Sequence, residues 1–332
     1  MSAEEAIATV IRRFLLSTIV FGCAAFAACA YAQQVDRVRL IGRLAVEGNI
    51  TDPVQDALRA GMRELGYVEG RDYRIEHRNA EGHIDRLPSL AQELVQLNVA
   101  VIVTGTGVAT RAAQRATTTI PIVALLPEDP ITSGFIDRFN RPGGNITGLT
   151  VRNTQLTAKR LELLKEILPD LSRVAVISDP SVAGEVEGIK TAARVLGIQI
   201  QLVEMKEPYD FDSAFKTCKR QRAGAVMLLS SPEVYINRMR LGALAFEYKL
   251  PTDAPFHALT KAGGLMTYST DVTEAFHRTA YFVDRLLKGA KASDLPFEQI
   301  SNPKLTINLK TAKALGIAVP ETVLMRADEV IR

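Results

Sequence analysis

The sequence has no tryptophan, and only three of its 332 residues are cysteine and four are histidine. The histidines at 77, 83, 257 and 277 match no metal-site spacing, so we expect no metal ion and no cofactor. Charge is almost balanced, with 40 Lys and Arg against 37 Asp and Glu, whereas nucleic-acid-binding surfaces are strongly basic. We therefore expect no nucleic-acid partner. A composition of 47% hydrophobic and 23% charged residues also excludes collagen, a coiled coil, a polytopic membrane protein and a disordered chain.

The first 32 residues have the pattern of a secretory signal peptide. Arg12 and Arg13 precede an apolar run over 14–28, and Ala30-Tyr31-Ala32 is the small-x-small pattern expected before a cleavage site. The alternative is an N-terminal membrane anchor, but the run is shorter than the ~20 residues that a spanning helix needs. The sequence thus predicts export to the periplasm, with Gln33 as the first residue of the mature chain.

Export would remove Cys23 and Cys29 and leave Cys218 as the only cysteine, so no internal disulfide can form. Cys218 lies in a helical pattern, which favours a packed thiol over a nucleophile. A chain of about 300 residues has a large enough core to fold without disulfides.

After the signal, strand-like and helical runs alternate, and the same order occurs twice. The first set comprises strands at 38–46, 72–80 and 99–105 and helices at 52–67 and 87–98. The second comprises strands at 172–180, 198–205 and 223–231 and helices at 185–198 and 210–222. Continuous apolar strands separated by helices are typical of parallel sheets covered on both faces. We therefore predict an α/β protein with two doubly wound, Rossmann-like lobes and a ligand cleft between them.

Polar residues and glycines lie at the carboxyl ends of the predicted strands or directly after them, where parallel sheets place their binding loops. They are Glu47, Asn49, Thr104, Gly105, Thr106, Asp129, Ser178, Asp179, Ser230 and Ser231. Phe256 and Tyr268 could stack on a ligand, and Asp271 could cap a helix, point into the cleft, or do both. Each of these residues could equally be a turn former, a cap or part of the core. The prediction rests on several loops meeting at one cleft.

Enzymatic motifs are incomplete. Gly105-Thr106-Gly107 resembles the start of a dinucleotide fingerprint, but its third glycine position is Thr110. An exported hydrolase would need a nucleophile with a base, or paired carboxylates, at fixed spacing. Glu128 with Asp129 is the only adjacent pair at a plausible cleft mouth. Neighbours on one loop rarely face one bond from opposite sides. We therefore expect no catalysis.

Several stretches resemble the substrate-binding proteins of ABC transporters, in the group that includes tryptophan- and tyrosine-binding members. The most specific are RPGGNITG at 141–148 and NLKTAK at 308–313, and RELGYVEGRDYRIEHRNAEGHIDRLPSLAQELV at 63–95 extends the similarity. Together with further stretches they cover most of residues 38–331.

The resemblance implies a type 1 periplasmic binding fold, with three chain crossings between the lobes near residues 150, 257 and 296. The first lobe would hold 38–150 and 258–296, and the second 151–257 and 297–332. It also implies a monomer that captures a small solute by hinge closure and delivers it to an inner-membrane ABC permease. A sensory protein that docks onto a receptor remains the alternative, because both functions need the same closing lobes.

The resemblance carries ligand contacts onto 104–106, Asp129, 178–179, 230–231 and Asp271. Two positions depart from the members that bind aromatic amino acids. Ser231-Pro232 replaces their Asp-Asn pair, and Glu47-Gly48-Asn49 replaces their ring-facing loop. The sequence therefore leaves the solute open, as an amino acid, a carboxylate or another small polar or aromatic molecule.

Overall fold

The computed structural model describes residues 38–46, 53–151, 153–206, 208–300 and 302–332. The predicted signal peptide and the predicted site residues Glu47 and Asn49 lie outside the described residues.

Two parallel-type sheets form the framework of the protein. The strands are β1 (Arg39–Ala45), β2 (Tyr73–Asn79), β3 (Val101–Thr104), β4 (Ile122–Leu126), β5 (Ile146–Thr150), β6 (Arg173–Ser178), β7 (Gln199–Glu204), β8 (Ala225–Leu228), β9 (Thr252–Ala254), β10 (Met266–Ser269), β11 (Glu298–Gln299), β12 (Lys304–Asn308) and β13 (Glu329–Ile331). The helices are α1 (Pro53–Glu64), α2 (Leu87–Gln96), α3 (Gly107–Ala116), α4 (Asn153–Ile167), α5 (Ala183–Leu196), α6 (Phe211–Arg220), α7 (Pro232–Ile236), α8 (Arg238–Glu247), α9 (His257–Lys261), α10 (Val272–Leu287), α11 (Leu309–Ala314) and α12 (Glu321–Leu324).

The two sheets repeat one topology. The first has the order β11-β5-β4-β3-β1-β2, and the second has β13-β12-β10-β9-β8-β6-β7. Strands β2-β1-β3-β4-β5 therefore correspond to β7-β6-β8-β9-β10, and all these neighbours pair in parallel. Among the strands of the described residues, β10 and β12 form the one antiparallel pair. The predicted α/β architecture with two doubly wound lobes is confirmed.

The crossings between lobes differ in part from the expected positions. The chain leaves the first sheet after β5, close to the expected residue 150. It returns between Ser269 and Val272 rather than near 257, because α9 packs against the second sheet and β10 pairs with β9 and β12. Helix α10 then packs against α1. The third crossing follows β11, which pairs with β5 and ends at Gln299.

Both lobes are held by apolar residues on the two faces of their sheets. The glycines that end α1 and α5 have positive φ angles, 88° at Gly66 and 66° at Gly197, which glycine adopts without steric penalty. Cys218 is a buried free thiol, as predicted, and burial raises its pKa to about 11. Within the described part of the chain, no helix is both long and apolar enough to cross a bilayer.

Candidate functional site

A cavity of about 520 Å³ lies where the carboxyl ends of the strands of both lobes meet. Small-molecule sites usually occupy roughly 300–1,000 Å³. The first lobe contributes Arg43, Ala45, Val46, Val54, Gly105, Thr106, Gly107, Val108, Arg111, Leu125, Pro127, Glu128, Ser133, Phe135 and Val151, and α10 adds Val272 and Phe276. The second lobe contributes Val182, Ser230, Ser231, Tyr235, Pro255, Phe256, Ser269 and Thr270. The cavity is thus enclosed from both sides.

Two residues of opposite charge, Arg111 on α3 and Glu128 after β4, lie on the wall of the first lobe. The Arg111 guanidinium stacks 4.1 Å from the centroid of Phe135 and donates to Gln114 Oε1 at 2.6 Å and to the Ser133 carbonyl. These contacts fix one face and two N–H groups of the guanidinium.

Burial raises the pKa of Glu128, while the charge of Arg111 acts in the opposite direction and that of Glu185 adds to the rise. The Glu128 carboxylate lies against Gly107, where an added Cβ would stand only 1.7 Å from Oε1. Glycine at 107 therefore makes room for this carboxylate.

A second arginine, Arg43, projects from β1 and is 5% exposed. Its guanidinium lies 4.9 Å from the Phe276 ring centroid, within the range of a cation–π contact. The same ring packs on Gly105, where an added Cβ would approach it to 2.7 Å. The loop after β3 and helix α10 therefore fit closely together at the cavity wall.

The wall of the second lobe combines hydroxyl groups with two aromatic rings. Ser231 caps α7 by accepting from Val234 N–H at 3.3 Å. Tyr235 and Phe256 form an edge-to-face pair with centroids 5.2 Å apart, and Arg238 stacks on Tyr235 at 4.6 Å. This wall offers apolar ring surface beside the hydroxyl groups of Ser230, Ser231, Ser269 and Thr270.

Five of the residues predicted for the site lie on the cavity wall. They are Gly105, Thr106, Ser230, Ser231 and Phe256. Thr106 also caps α3 by accepting from Ala109 N–H, so capping and cavity lining coincide here. The ligand contacts themselves remain predictions.

The other described candidates lie off the wall. The Thr104 hydroxyl bonds to that of Thr110 at 2.7 Å, and Ser178 and Asp179 are buried at the end of β6. Tyr268 packs against the second-lobe core. Asp271 caps α10 by accepting from Thr273 N–H at 2.8 Å.

Asp129 accepts from the N–H groups of Ile131 and Thr132 and does not line the cavity next to Glu128. The two neighbouring carboxyls therefore do not both face the cleft. Among the described residues, no group of three or more His, Cys, Asp and Glu could hold a metal ion.

Sequence reasoning missed the two arginines on the wall, Arg43 and Arg111. It also missed the rings of Phe135, Tyr235 and Phe276 and the pair Ser269 and Thr270. The only sequence signal was position, since Ser269 and Thr270 lie at the end of β10 as Ser230 and Ser231 lie just after β8.

A family model described as ABC transporter substrate binding protein matches residues 43–331. The tyrosine-binding protein of Clostridioides difficile (strain R20291) is 22% identical over 278 residues, which make up 82% of this chain and 79% of that protein.

Solved structures share the fold. An ABC domain from Streptococcus pneumonia in complex with L-Trp superposes with a TM-score of 0.82 at 24% identity, over 89% of this chain and 100% of that one. A ligand-free, open substrate-binding protein with adhesive properties from Clostridium difficile gives 0.62 at 20% identity, over 89% and 99%. The family model covers most of the sequence, and the chain therefore belongs to the family of ABC transporter substrate-binding proteins.

Proposed function

We propose that this protein binds an amino acid with an apolar or aromatic side chain in the cleft between its lobes. The observation that carries the proposal is the presence of a positive and a negative side chain, Arg111 and Glu128, on one wall of a cavity whose opposite wall holds the rings of Tyr235 and Phe256. A zwitterion complements such a wall, because its carboxylate can pair with the guanidinium and its ammonium with the carboxylate. The aromatic rings then receive the side chain.

The electrostatics of Glu128 support a cationic group beside it. This side chain is half-buried, and its pKa is raised mainly by desolvation. A nearby ammonium favours the ionised form and would lower that pKa again. The ammonium group of a zwitterion would therefore compensate for the desolvation that disfavours the charged form of Glu128.

The relatives support the same class of solute. One is named as a tyrosine-binding protein, and another structure holds L-Trp. The higher TM-score with the L-Trp complex than with the ligand-free open protein, at equal coverage of this chain, supports lobes arranged as in a ligand-bound state. Ligand contacts on both lobes would stabilise that arrangement.

Transport follows from this binding role and from the family. We propose that residues 1–32 export the chain to the periplasm and that the closed, loaded monomer delivers its solute to an inner-membrane ABC permease. Mass spectrometry of the protein from a periplasmic fraction should give a chain that begins at Gln33. A chain that still begins at Met1 would contradict export with cleavage, and co-purification with a receptor instead of a permease would favour a sensory role.

Solute binding is tested first on untreated protein, by native mass spectrometry of whatever leaves the cleft. Purified protein is then titrated by calorimetry with L-tryptophan, L-tyrosine, L-phenylalanine and a sugar such as D-glucose. We expect at least one amino acid to bind and to raise the melting temperature as its concentration rises. If none of the amino acids binds, the proposal is wrong.

Variants of the wall locate the binding. Arg111→Met and Glu128→Gln should each weaken amino-acid affinity about tenfold or more, since each removes one charge-assisted hydrogen bond. Arg278→Met is the matched control, because Arg278 stacks on Tyr281 at 4.1 Å and is no part of the cavity wall. Equal losses in all three variants would argue against binding at this wall.

A further inference from the structure

The cavity wall carries one positive charge more than a zwitterion requires. Among the described residues, the charged side chains that line it are Arg43, Arg111 and Glu128. In the proposed function, the carboxylate of the solute pairs with Arg111 and its ammonium group pairs with Glu128. Arginine is not deprotonated in proteins, so Arg43 adds a permanent positive charge to which neither end of the zwitterion is assigned.

Arg43 and Arg111 lie on opposite faces of the first sheet. Arg43 follows Ile41 by two residues on β1, so the two side chains point to the same face, where Ile41 packs with α1 and α10. Helix α3, which carries Arg111, packs on the other face together with Leu44, the next residue of β1. The two guanidinium groups therefore approach the cavity from different sides of the sheet, and each can receive a different group of the solute.

Gly105 and Gly107, which follow β3, relate the two positions. An added Cβ at Gly105 would stand 2.7 Å from the Phe276 ring, whose centroid lies 4.9 Å from the Arg43 guanidinium carbon. An added Cβ at Gly107 would stand 1.7 Å from Glu128 Oε1. Arg43 is thus at the Gly105 end of this segment and Glu128 at the Gly107 end. A solute whose ammonium group pairs with Glu128 can extend along the segment, so that its side chain ends near Arg43.

The surroundings of Arg43 favour an oxygen acceptor at that end. Arg43 is 5% exposed and Phe276 is 3% exposed, and both line the cavity. A guanidinium shielded from water in this way attracts an oxygen acceptor more strongly than it would in water. An apolar group in the same place would exclude water from the charge and supply no hydrogen bond in return.

We propose that Arg43 is a specificity-determining residue that donates a hydrogen bond to an oxygen acceptor at the far end of the solute's side chain. The preferred solute is then an aromatic amino acid with an oxygen atom on its ring, and a ring without such an atom is disfavoured. This inference rests on the proposed function, because it assigns the other end of the same amino acid.

The test compares amino acids that differ only at the para position of the ring. L-tyrosine carries a hydroxyl group there, 4-methyl-L-phenylalanine carries a methyl group of similar size, and L-phenylalanine carries only hydrogen. Affinities for the wild type are measured by calorimetry. We expect tyrosine to bind about tenfold or more tightly than both analogues, because each analogue lacks a hydrogen bond to a charged group.

Arg43→Met keeps an unbranched apolar side chain and removes the charge and the N–H donors. This variant should bind tyrosine about tenfold more weakly, while its affinity for 4-methyl-L-phenylalanine stays the same or rises, so that the preference disappears. Arg278→Met is the matched control and should retain the wild-type preference. Arg278 also stacks on a ring of α10, that of Tyr281 at 4.1 Å, but is no part of the cavity wall.

The outcomes separate this inference from the proposed function. A wild type that binds tyrosine no better than 4-methyl-L-phenylalanine overturns the role of Arg43, and this result needs no folded variant. A preference that persists in Arg43→Met, even if all three affinities fall equally, shows that Arg43 does not set the specificity. Binding of L-tryptophan without binding of these three leaves the amino-acid site intact and contradicts the selection for a ring oxygen. A wild type that binds none of the four amino acids overturns both proposals.

Discussion

The Arg160 guanidinium and the Asp253 carboxylate form an ion pair in which both side chains are almost completely buried, 2% and 0% exposed. Removing one partner leaves the other charge unpaired in the interior, which costs about 3–5 kcal/mol. We therefore expect Arg160→Met and Asp253→Leu each to lower the free energy of unfolding by that amount. Chemical denaturation of the two variants and of the wild type measures the loss.

The double variant Arg160→Met/Asp253→Leu is the control for this pair. The double variant removes both charges, so neither is left buried without its partner. It should therefore lose less stability than the sum of the two single losses. Additive losses would show that the two residues stabilise the lobe independently.

Asp253 also makes the stability depend on pH. Desolvation raises its pKa from 3.8 to about 6, with Arg160 acting against the rise and Glu185 adding to it. Between these two values the folded state binds the proton and the unfolded state does not, so this residue's contribution to stability grows as pH falls. The gain develops as pH falls through about 6, the raised pKa of Asp253.

Other carboxyls titrate in the same range, so the measured quantity is the difference between the wild type and Asp253→Asn. Thermal denaturation from about pH 7 down to about pH 4 should show the wild type gaining stability relative to the variant. A difference that stays constant over this range would contradict the raised pKa.

Much of the fold could be predicted from the sequence because both sheets are parallel and covered on two faces. Their strands are therefore continuous apolar runs such as 99–105, and the helix predicted at 185–198 is α5 to within two residues at each end. The crossing near 257 could not be placed in the same way. Whether β10 joins one sheet or the other depends on pairing with β9 and β12, and its local sequence suits either.

The site could be predicted less completely than the fold. Small polar residues at strand ends indicate where the cavity lies, but not which other side chains line it. In the sequence, Arg111 is one charged residue in a helical run, which is typical of a solvent-exposed face. In the structure its guanidinium stacks on Phe135. Glu185 looks like an acidic residue in the first turn of a helix, where it suits the helix dipole. The fold buries it, and the Thr157 hydroxyl on α4 donates to its carboxylate at 2.9 Å.

Two helical glycines should respond oppositely to alanine. A Cβ on Gly61 would stand 2.6 Å from the carbonyl oxygen of His277 and 2.7 Å from the Ala280 Cβ, so α1 and α10 would have to separate. We expect Gly61→Ala to destabilise by about 1–3 kcal/mol. A Cβ on Gly184 meets nothing within 4 Å, and Gly184→Ala should stabilise by about 0.5–1 kcal/mol through helix propensity. Chemical denaturation of both variants decides, and a gain at Gly61 would contradict the close packing of α1 on α10.

Gly107 should control amino-acid affinity through Glu128. Because a Cβ at this position would stand 1.7 Å from Glu128 Oε1, Gly107→Ala has to displace the carboxylate from its place on the wall. The variant should bind the amino acid about tenfold more weakly, as expected for loss of a charge-assisted contact, and Glu128→Gln in the Gly107→Ala background should weaken binding little further.

Gly144→Ala is the matched control, because its added Cβ meets nothing within 4 Å and Gly144 is no part of the cavity wall. Calorimetric titration should give wild-type affinity for this control. Wild-type affinity in Gly107→Ala would mean that the Glu128 carboxylate can be displaced without weakening amino-acid binding. The solute would then not depend on a contact with that carboxylate.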